Sequence, residues 1–319
     1  MDATLDRRTF AKAAALGLGV AALPELRGQA SQSTKKIKIG CATLAWNVSP
    51  TNIDNFELAL KDISELGYWG FETVNQMIEA LDANGALAKL IDKYQIPMKA
   101  GYMGTNVTDP SVRKENVANV IRIGKLVKKY GGTYLVIAVN GRTPPGQGRG
   151  RGRGAQEPDT FNFLEHKSDM VAALNEYGMA VNDLGLRTGL HQHTGTVIEK
   201  HDEVYGIMES VNTKYMSFAP DVGQLQKGGS DAAQVVKDFA KITTHMHLKD
   251  YSNGKYMAGY CPLGMGVVDI ESILNTLEEA GNNPDVIHEL DRGNAPMSAR
   301  DTAAFSKAYL IKLGYTFRS

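Results

Sequence analysis

After Lys36 the chain alternates short apolar runs with longer amphipathic stretches, and it does so eight times. The apolar runs are Ile37–Thr43, Gly70–Val74, Met98–Met103, Tyr134–Val139, Thr188–His193, Met216–Asp221, Thr243–Leu248 and Val286–Leu290. Each has the length of a strand buried on both faces. Between them, helical periodicity predicts helices over Asn55–Leu66, Val112–Tyr130, Phe163–Leu184 and Ile270–Ala280. Each of these four patterns stops at a glycine: Gly67, Gly131, Gly185 and Gly281. Asp54, Asp109 and Asp269 are candidate caps at helix starts. Strict β–α alternation argues for a parallel sheet with helical crossovers. Eight repeats fit a closed (β/α)8 barrel better than an open doubly wound sheet, so the predicted fold class is α/β, a single TIM barrel. No GxGxxG follows the first strand, which removes the main dinucleotide-binding cue.

Composition adds limits. At 319 residues the chain is long enough to bury a full core. Lysine plus arginine equals aspartate plus glutamate at 35 each, so no global field recruits nucleic acid or an anionic membrane. Two cysteines, Cys41 and Cys261, cannot make a disulfide scaffold.

The first thirty residues read as an address. Asp6-Arg7-Arg8-Thr9-Phe10-Ala11-Lys12 precedes a soft apolar run, Ala13 to Leu23, then Pro24 and a small-residue site at Gly28-Gln29-Ala30. This resembles a twin-arginine export signal; Asp6 and Ala11 depart from the usual pattern, while the paired arginines, Phe10 and Lys12 keep it. The apolar run is too short for a membrane span, which needs about twenty residues. The expected organisation is therefore a signal over 1–30, a barrel over 31–319, a periplasmic or otherwise exported location, and no stable membrane anchor. Removing 1–30 takes four basic and three acidic residues, leaving the rest near neutral. A low-complexity Pro/Gly/Arg tract, Thr143 to Pro158, interrupts the rhythm after the fourth strand. It reads as a flexible βα-loop insertion; without interleaved aromatics it is a weak nucleic-acid binder.

Active sites of such barrels lie at the carboxyl ends of the strands. Polar residues gather there in the second half of the chain. The fifth strand ends in His191-Gln192-His193, the sixth in Asp221-Val222-Gly223-Gln224, the seventh in His245-Met246-His247-Leu248-Lys249-Asp250, and the eighth in His288-Glu289-Leu290-Asp291. Strand alternation puts His191 with His193, and His245 with His247 and Lys249. Taken singly, each has a plain structural explanation: a strand-end histidine is often just hydrogen-bonded, and Asp221 suits a loop cap. Taken jointly, imidazole, carboxylate, imidazole and carboxylate on four consecutive strands make a mixed N/O site for a divalent ion. His191, Asp221, His247 and Glu289 are the candidate ligands, and Mn, Co, Zn or Fe the candidate metals.

The stretch Cys261-Pro262-Leu263-Gly264-Met265-Gly266-Val267-Val268-Asp269 then resembles the P-L-G-x-G-x-V-D loop of the xylose-isomerase-like sugar isomerase/epimerase superfamily, most closely its inosose dehydratases. His191–Thr196, Asp221–Gly223, His245–Asp250, Glu289–Asp291 and Glu72 of Gly70-Phe71-Glu72 stand in that family's order. In the epimerase branch a Glu–Asp–His–Glu set binds a Mn-type ion and two glutamates exchange the substrate proton. The resemblance places the Asp on Asp221, the His on His247 and the second Glu on Glu289. The first Glu falls on His191, as in the dehydratase branch. Gln224 also departs, since both branches commonly carry histidine there.

The implied chemistry is metal-assisted proton abstraction next to a carbonyl, ending in isomerisation, epimerisation or β-elimination (dehydration). Glu289, Lys249 and His193 are the candidate catalytic groups. Glu72, Trp46, Gln224, His245 and Asp291 are candidate substrate contacts, with Trp46 and Tyr102 as apolar walls for a ring. The expected partner is a small carbohydrate or cyclitol such as a keto-sugar, keto-glycoside or inosose; nucleic acid is not expected, and a homo-oligomer is compatible with the class. Two other readings compete. A sugar-binding barrel without turnover is kept open by Gln224. An abasic-site endonuclease needs a three-metal cluster and a basic face that the sequence does not supply.

Overall fold

Four-to-eight-residue apolar runs become strands because both of their faces find cover. In the computed structural model, which describes residues 35–142, 160–254, 257–291 and 297–319, eight parallel strands form one curved sheet. They are β1 (Ile39–Ala42), β2 (Phe71–Val74), β3 (Met98–Thr105), β4 (Tyr134–Val139), β5 (Arg187–His191), β6 (Ser217–Phe218), β7 (His245–Leu248) and β10 (Asp285–His288). A two-stranded antiparallel ladder, β8 (Asp250–Tyr251) with β9 (Tyr260–Cys261), is an excursion above β7. Residues 1–30, read above as an export signal, and the tract 143–158 lie outside the described residues.

The sheet runs β6-β5-β4-β3-β2-β1-β10-β7, so its two ends are consecutive strands. Two isolated parallel bridges, Phe218 to Thr243 and Asp221 to His247, join those ends and close the barrel. The sixth strand is shorter than the run Met216–Asp221 predicts. Pro220 has no N–H to give the ladder, while its carbonyl still accepts from the His247 N–H at 2.9 Å.

The predicted helices form over Ile53–Glu65, Arg113–Lys129, Phe163–Asn182 and Ile270–Ala280, within a few residues of the expected bounds. All four glycine stops have positive φ, between 71° and 81°. Asp269 caps its helix through the Ser272 N–H, and Asp109 caps a short 3-10 turn at Pro110–Val112 through Ser111. Asp54 is not a cap; it lies inside the first turn, with Asn52 at the cap position. Further helices at Asn75–Ala83 and Ala86–Tyr94 complete the crossover after β2, and a final helix at Ala299–Lys312 packs on the one at 53–65. No helix among the described residues is long and apolar enough to cross a membrane.

Asp250 holds the rim after β7. Its carboxylate accepts from the backbone N–H groups of Tyr251, Gly264, Gly266 and Val268, at 2.8 to 3.1 Å. The Pro-Leu-Gly-Met-Gly segment is thus folded around one buried side chain. A Cβ at Gly266 would collide with that carboxylate, which is why the backbone there has to be glycine.

Candidate active site

A cavity of about 150 Å³ opens at the carboxyl ends of the strands. Its lining includes Glu72, Tyr102, His191, His193, Glu289 and Asp291. Strand alternation puts His191 on the inner face at the end of β5, and His245, His247 and Lys249 one above another along β7, all fully buried.

Each imidazole is oriented by what its other nitrogen touches. His191 Nδ1 lies 3.0 Å from the Ala219 carbonyl, which only accepts, so Nδ1 carries the proton and Nε2 keeps its lone pair. Burial, then the neighbouring His247 and His193, hold this ring neutral, with its pKa well below the ordinary histidine value. His247 sits between two carboxylates: Nε2 is 2.6 Å from Glu72 Oε1 and Nδ1 is 2.9 Å from Glu289 Oε2. Burial alone would neutralise it, but Glu289 and Glu72 outweigh burial and hold it as an imidazolium. His193 donates from Nδ1 to the Thr194 carbonyl at 2.9 Å and accepts at Nε2 from the Gln224 amide at 2.6 Å. Gln224 is itself aimed by the Thr194 hydroxyl, which donates to its Oε1, and it also donates to Asp291.

Lys249 ends among Asp221 Oδ2 at 2.6 Å, Glu289 Oε2 at 2.8 Å and Asp291 Oδ2 at 3.0 Å. Burial opposes its charge, yet the three carboxylates raise its pKa well above the usual lysine value. A base at this position would need the neutral amine. Lys249 is therefore a fixed cation, not the proton acceptor that its strand-end position suggested. Glu289 is ionised: burial would raise its carboxyl, but His247 and Lys249 bring it well below the ordinary range. Asp221 has two jobs at once, pairing with Lys249 and accepting from the Gln224 N–H at the head of the helix Val222–Lys227.

His191, Asp221 and His247 each offer a ligand atom, all within 4.8 Å of one another, with Glu289 against His247 from the end of β10. The donor set, two imidazoles and two carboxylates, suits a borderline divalent ion. Charge points the same way. Glu72, Asp221, Glu289 and Asp291 crowd one lysine and one histidine, an excess of carboxylates over cationic partners, and burial, only partly offset by Lys249, raises the Asp221 carboxyl. Such an excess is costly without a cation. The residues fit a divalent metal.

Two expected substrate contacts, Trp46 and His245, are placed away from the cavity, and a third, Glu72, lines it. Trp46 turns into the core, where its indole N–H donates to Asp62 at 2.8 Å, and it does not line the cavity. His245 is fully buried below Glu72 and stacks on Tyr134, 4.7 Å between ring centroids. Glu72 touches the cavity but gives its carboxylate to imidazoles. Its Oε2 is 3.0 Å from His245 Nε2, close in distance yet not aligned as a hydrogen bond. Gln224 and Asp291 do reach the rim network, with Asp291 lining the cavity, and Tyr102 forms one wall, edge-on to His191 and stacked over His247. Asp250 has no obvious signal beyond its place in His-x-His-x-Lys-Asp, because its role depends on a loop fourteen residues away.

The chain belongs to the xylose isomerase-like TIM barrel family, whose pattern matches residues 60–309. Among curated relatives it is 22% identical over 301 residues to an inosose dehydratase from Clostridium beijerinckii, covering 87% of this chain and 97% of that one. An inosose dehydratase from Geobacillus kaustophilus is also 22% identical, over 88% of this chain and 96% of its own. Among solved structures, a 3-keto-D-glucoside 4-epimerase from E. coli superposes with a TM-score of 0.63 at 18% identity, over 87% of this chain and 99% of its own. D-allulose 3-epimerase from Methylomonas sp., in complex with D-allulose, gives 0.66 at 16% identity, over 88% and 98%. The two structural likenesses establish the fold.

Proposed function

We propose that the protein is a divalent-metal-dependent sugar isomerase, epimerase or dehydratase, acting on a keto-sugar, keto-glycoside or inosose. The observation that carries this reading is the convergence of His191, Asp221 and His247, whose ligand atoms lie within 4.8 Å of one another at the strand ends, with Glu289 against His247. The named relatives, inosose dehydratases and sugar epimerases, support the substrate class. A metal held by these four side chains would polarise the substrate carbonyl and favour the enediolate form.

The chain's own residues do the rest. Glu289, ionised and at the cavity wall, takes the proton next to the carbonyl. Lys249 stays charged beside it and steadies the negative charge that develops. His193, Gln224 and Asp291 form a polar rim that binds hydroxyls, while Tyr102 presents a ring face to the sugar. Returning the proton to carbon gives isomerisation or epimerisation; a proton delivered instead to a β-hydroxyl lets it leave as water and gives dehydration. With His191 where the epimerase branch has its first glutamate, one of the two carboxylate bases is absent, which favours elimination over two-base epimerisation. The paired Arg7-Arg8 and the apolar run behind them support an exported enzyme, hence a non-phosphorylated substrate.

The test is metal content of the purified protein, wild type beside Glu289→Ala and His247→Ala, followed by turnover of keto-sugars and inososes. About one Mn, Co, Zn or Fe per chain in wild type, lost in both variants, with solvent deuterium entering a substrate or product C–H, is the expected result. Metal retention without turnover or exchange would leave a sugar-binding barrel. Three metals per chain would point to an endonuclease-type cluster instead.

A further inference from the structure

One buried carboxylate in the barrel has been given no part in the chemistry, although it touches a candidate ligand. Glu72 lies on β2, across the barrel from β7, and is 2% exposed. Its two oxygens face two imidazoles of the same strand, His247 Nε2 at 2.6 Å and His245 Nε2 at 3.0 Å. Only the first is aligned as a hydrogen bond; Glu72 Oε2 and both ring nitrogens of His245 have no aligned partner. An ionised glutamate accepts and does not donate, so the shared proton in the short contact belongs to His247 Nε2. The imidazolium also gives its Nδ1 proton to Glu289, at the longer 2.9 Å; a metal held together with Glu289 would displace that proton, while the shorter contact to Glu72 keeps the one on Nε2. Nδ1 thus faces Glu289, itself a candidate ligand, whereas Nε2 faces Glu72.

Resting on the metal-site reading above, we infer that Glu72 is a positioning residue: it fixes His247 as the Nε2–H tautomer and thereby makes Nδ1 the ligand atom. The same logic already operates on His191, where the Ala219 carbonyl holds the Nδ1 proton and leaves Nε2 for the metal. The two imidazoles of the set are thus clamped in opposite tautomers by partners on different strands. A carboxylate behind a ligating imidazole also raises its basicity, and loss of such a partner typically lowers metal affinity about 10- to 100-fold. His245 stands beside the other oxygen of Glu72, 3.0 Å away, and stacks on Tyr134.

An opposite reading of the same atoms exists. Glu72, His245 and His247 also lie within 4.8 Å of one another and would themselves form a three-ligand cation site using His247 Nε2. The two readings assign His247's proton to different nitrogens, so one measurement separates them. Full-length protein labelled with 15N-histidine is loaded with Zn2+, and its imidazole signals are read by long-range 1H–15N correlation. The His247 signal is identified by its loss in His247→Gln. A protonated Nε2 and a bare, zinc-shifted Nδ1 are expected; a zinc-shifted Nε2 overturns the assignment. In parallel, Co2+ and Mn2+ affinities are measured by chelator competition for wild type, Glu72→Gln and Glu72→Asp, each checked for native circular dichroism. Glu72→Gln is expected to bind one metal about 10- to 100-fold more weakly, with Glu72→Asp in between. Equal affinity in Glu72→Gln refutes the positioning role. Two metals in wild type and one in Glu72→Gln would show that Glu72 is a ligand. No metal in wild type would instead refute the metal-site reading on which the inference stands. The NMR readout needs no Glu72 variant, so it decides the question even if Glu72→Gln misfolds.

Discussion

At the scale of residues, the barrel mouth is a problem in buried charge, and two side chains make it measurable. Lys249 is fully buried with three carboxylates around its ammonium. Lys249→Met keeps the aliphatic stem but leaves Asp221, Glu289 and Asp291 facing one another. Breaking a buried pair in this way costs about 3–5 kcal/mol. A divalent ion at the same cluster restores positive charge, so the variant's melting temperature in chelator is expected to fall sharply and to recover with Mn2+ by more than the wild type gains. Equal metal effects on both proteins would count against a cation site beside Lys249. The second residue is His288, whose Nδ1 is 3.6 Å from Cys41 Sγ and whose ring stacks on Tyr68. Burial, against a weaker pull from Glu289 and a push from Lys249, lowers its pKa to about 4. The unfolded chain takes up this proton near pH ~6.5, so between those values it binds more protons than the folded one. Stability therefore falls as pH drops through that window, by up to ~1.4 kcal/mol per pH unit. Urea midpoints of wild type and His288→Phe across the window test this: the variant's acid slope should be shallower. Glu72 is shifted downward as well, but by charge and in a more acidic window. Burial would raise it, but His247 and His245 hold it down to about 2. Its contribution is present above its unfolded value and lost only as pH falls further, through the folded one, so it does not confuse the His288 window.

At the scale of elements, the sequence was most legible where one periodicity decides everything. Eight apolar runs became eight parallel strands, and the four helix stops all have the left-handed backbone that glycine tolerates. The same signal nevertheless hides different packing. At Gly131 a Cβ would meet nothing, so Gly131→Ala should cost only the left-handed strain, about 1–2 kcal/mol. At Gly67 the Cβ would run into the backbone carbonyl of Arg318, whose N–H bonds the Gly67 carbonyl. Gly67→Ala should therefore lose about 1–3 kcal/mol more. Chemical denaturation of the two variants side by side decides it, and equal losses would show that the C-terminal segment yields freely. Periodicity cannot see this, because the clash is between residues 251 positions apart. The site shows the same division. That His191, Asp221 and His247 come together, with Glu289 against His247, was readable because strand ends and alternation place them. Trp46 and His245 were misplaced because strand position fixes which side a residue faces, not how deep it lies or whether Asp62 is there to take an indole N–H. Lys249 looked like a base because sequence cannot count the carboxylates that surround an ammonium.

At the scale of the whole molecule, those four candidate ligands come from four strands and from residues 191 to 289, so no site exists until the seam between β6 and β7 is closed. On the proposed reading, metal binding would then follow folding, and binding that favours only the folded chain would add to its stability, by ~2.7 kcal/mol at a hundredfold excess over Kd. This bears on the expected export route. A twin-arginine signal, as the resemblance implies, directs proteins that have already folded, which would let the barrel take its ion before leaving the cytoplasm. Replacing Arg7 and Arg8 together with lysine keeps the charge and removes the paired guanidinium signature. The double variant should accumulate in the cytoplasmic fraction with residues 1–30 intact and with the metal bound, while the wild type appears processed in the periplasm. If wild type stays in the cytoplasm with Arg7 and Arg8 uncleaved, the export proposal fails, and the argument for a non-phosphorylated substrate goes with it. If the double variant is retained but metal-free, folding still precedes export, and the ion must be acquired outside.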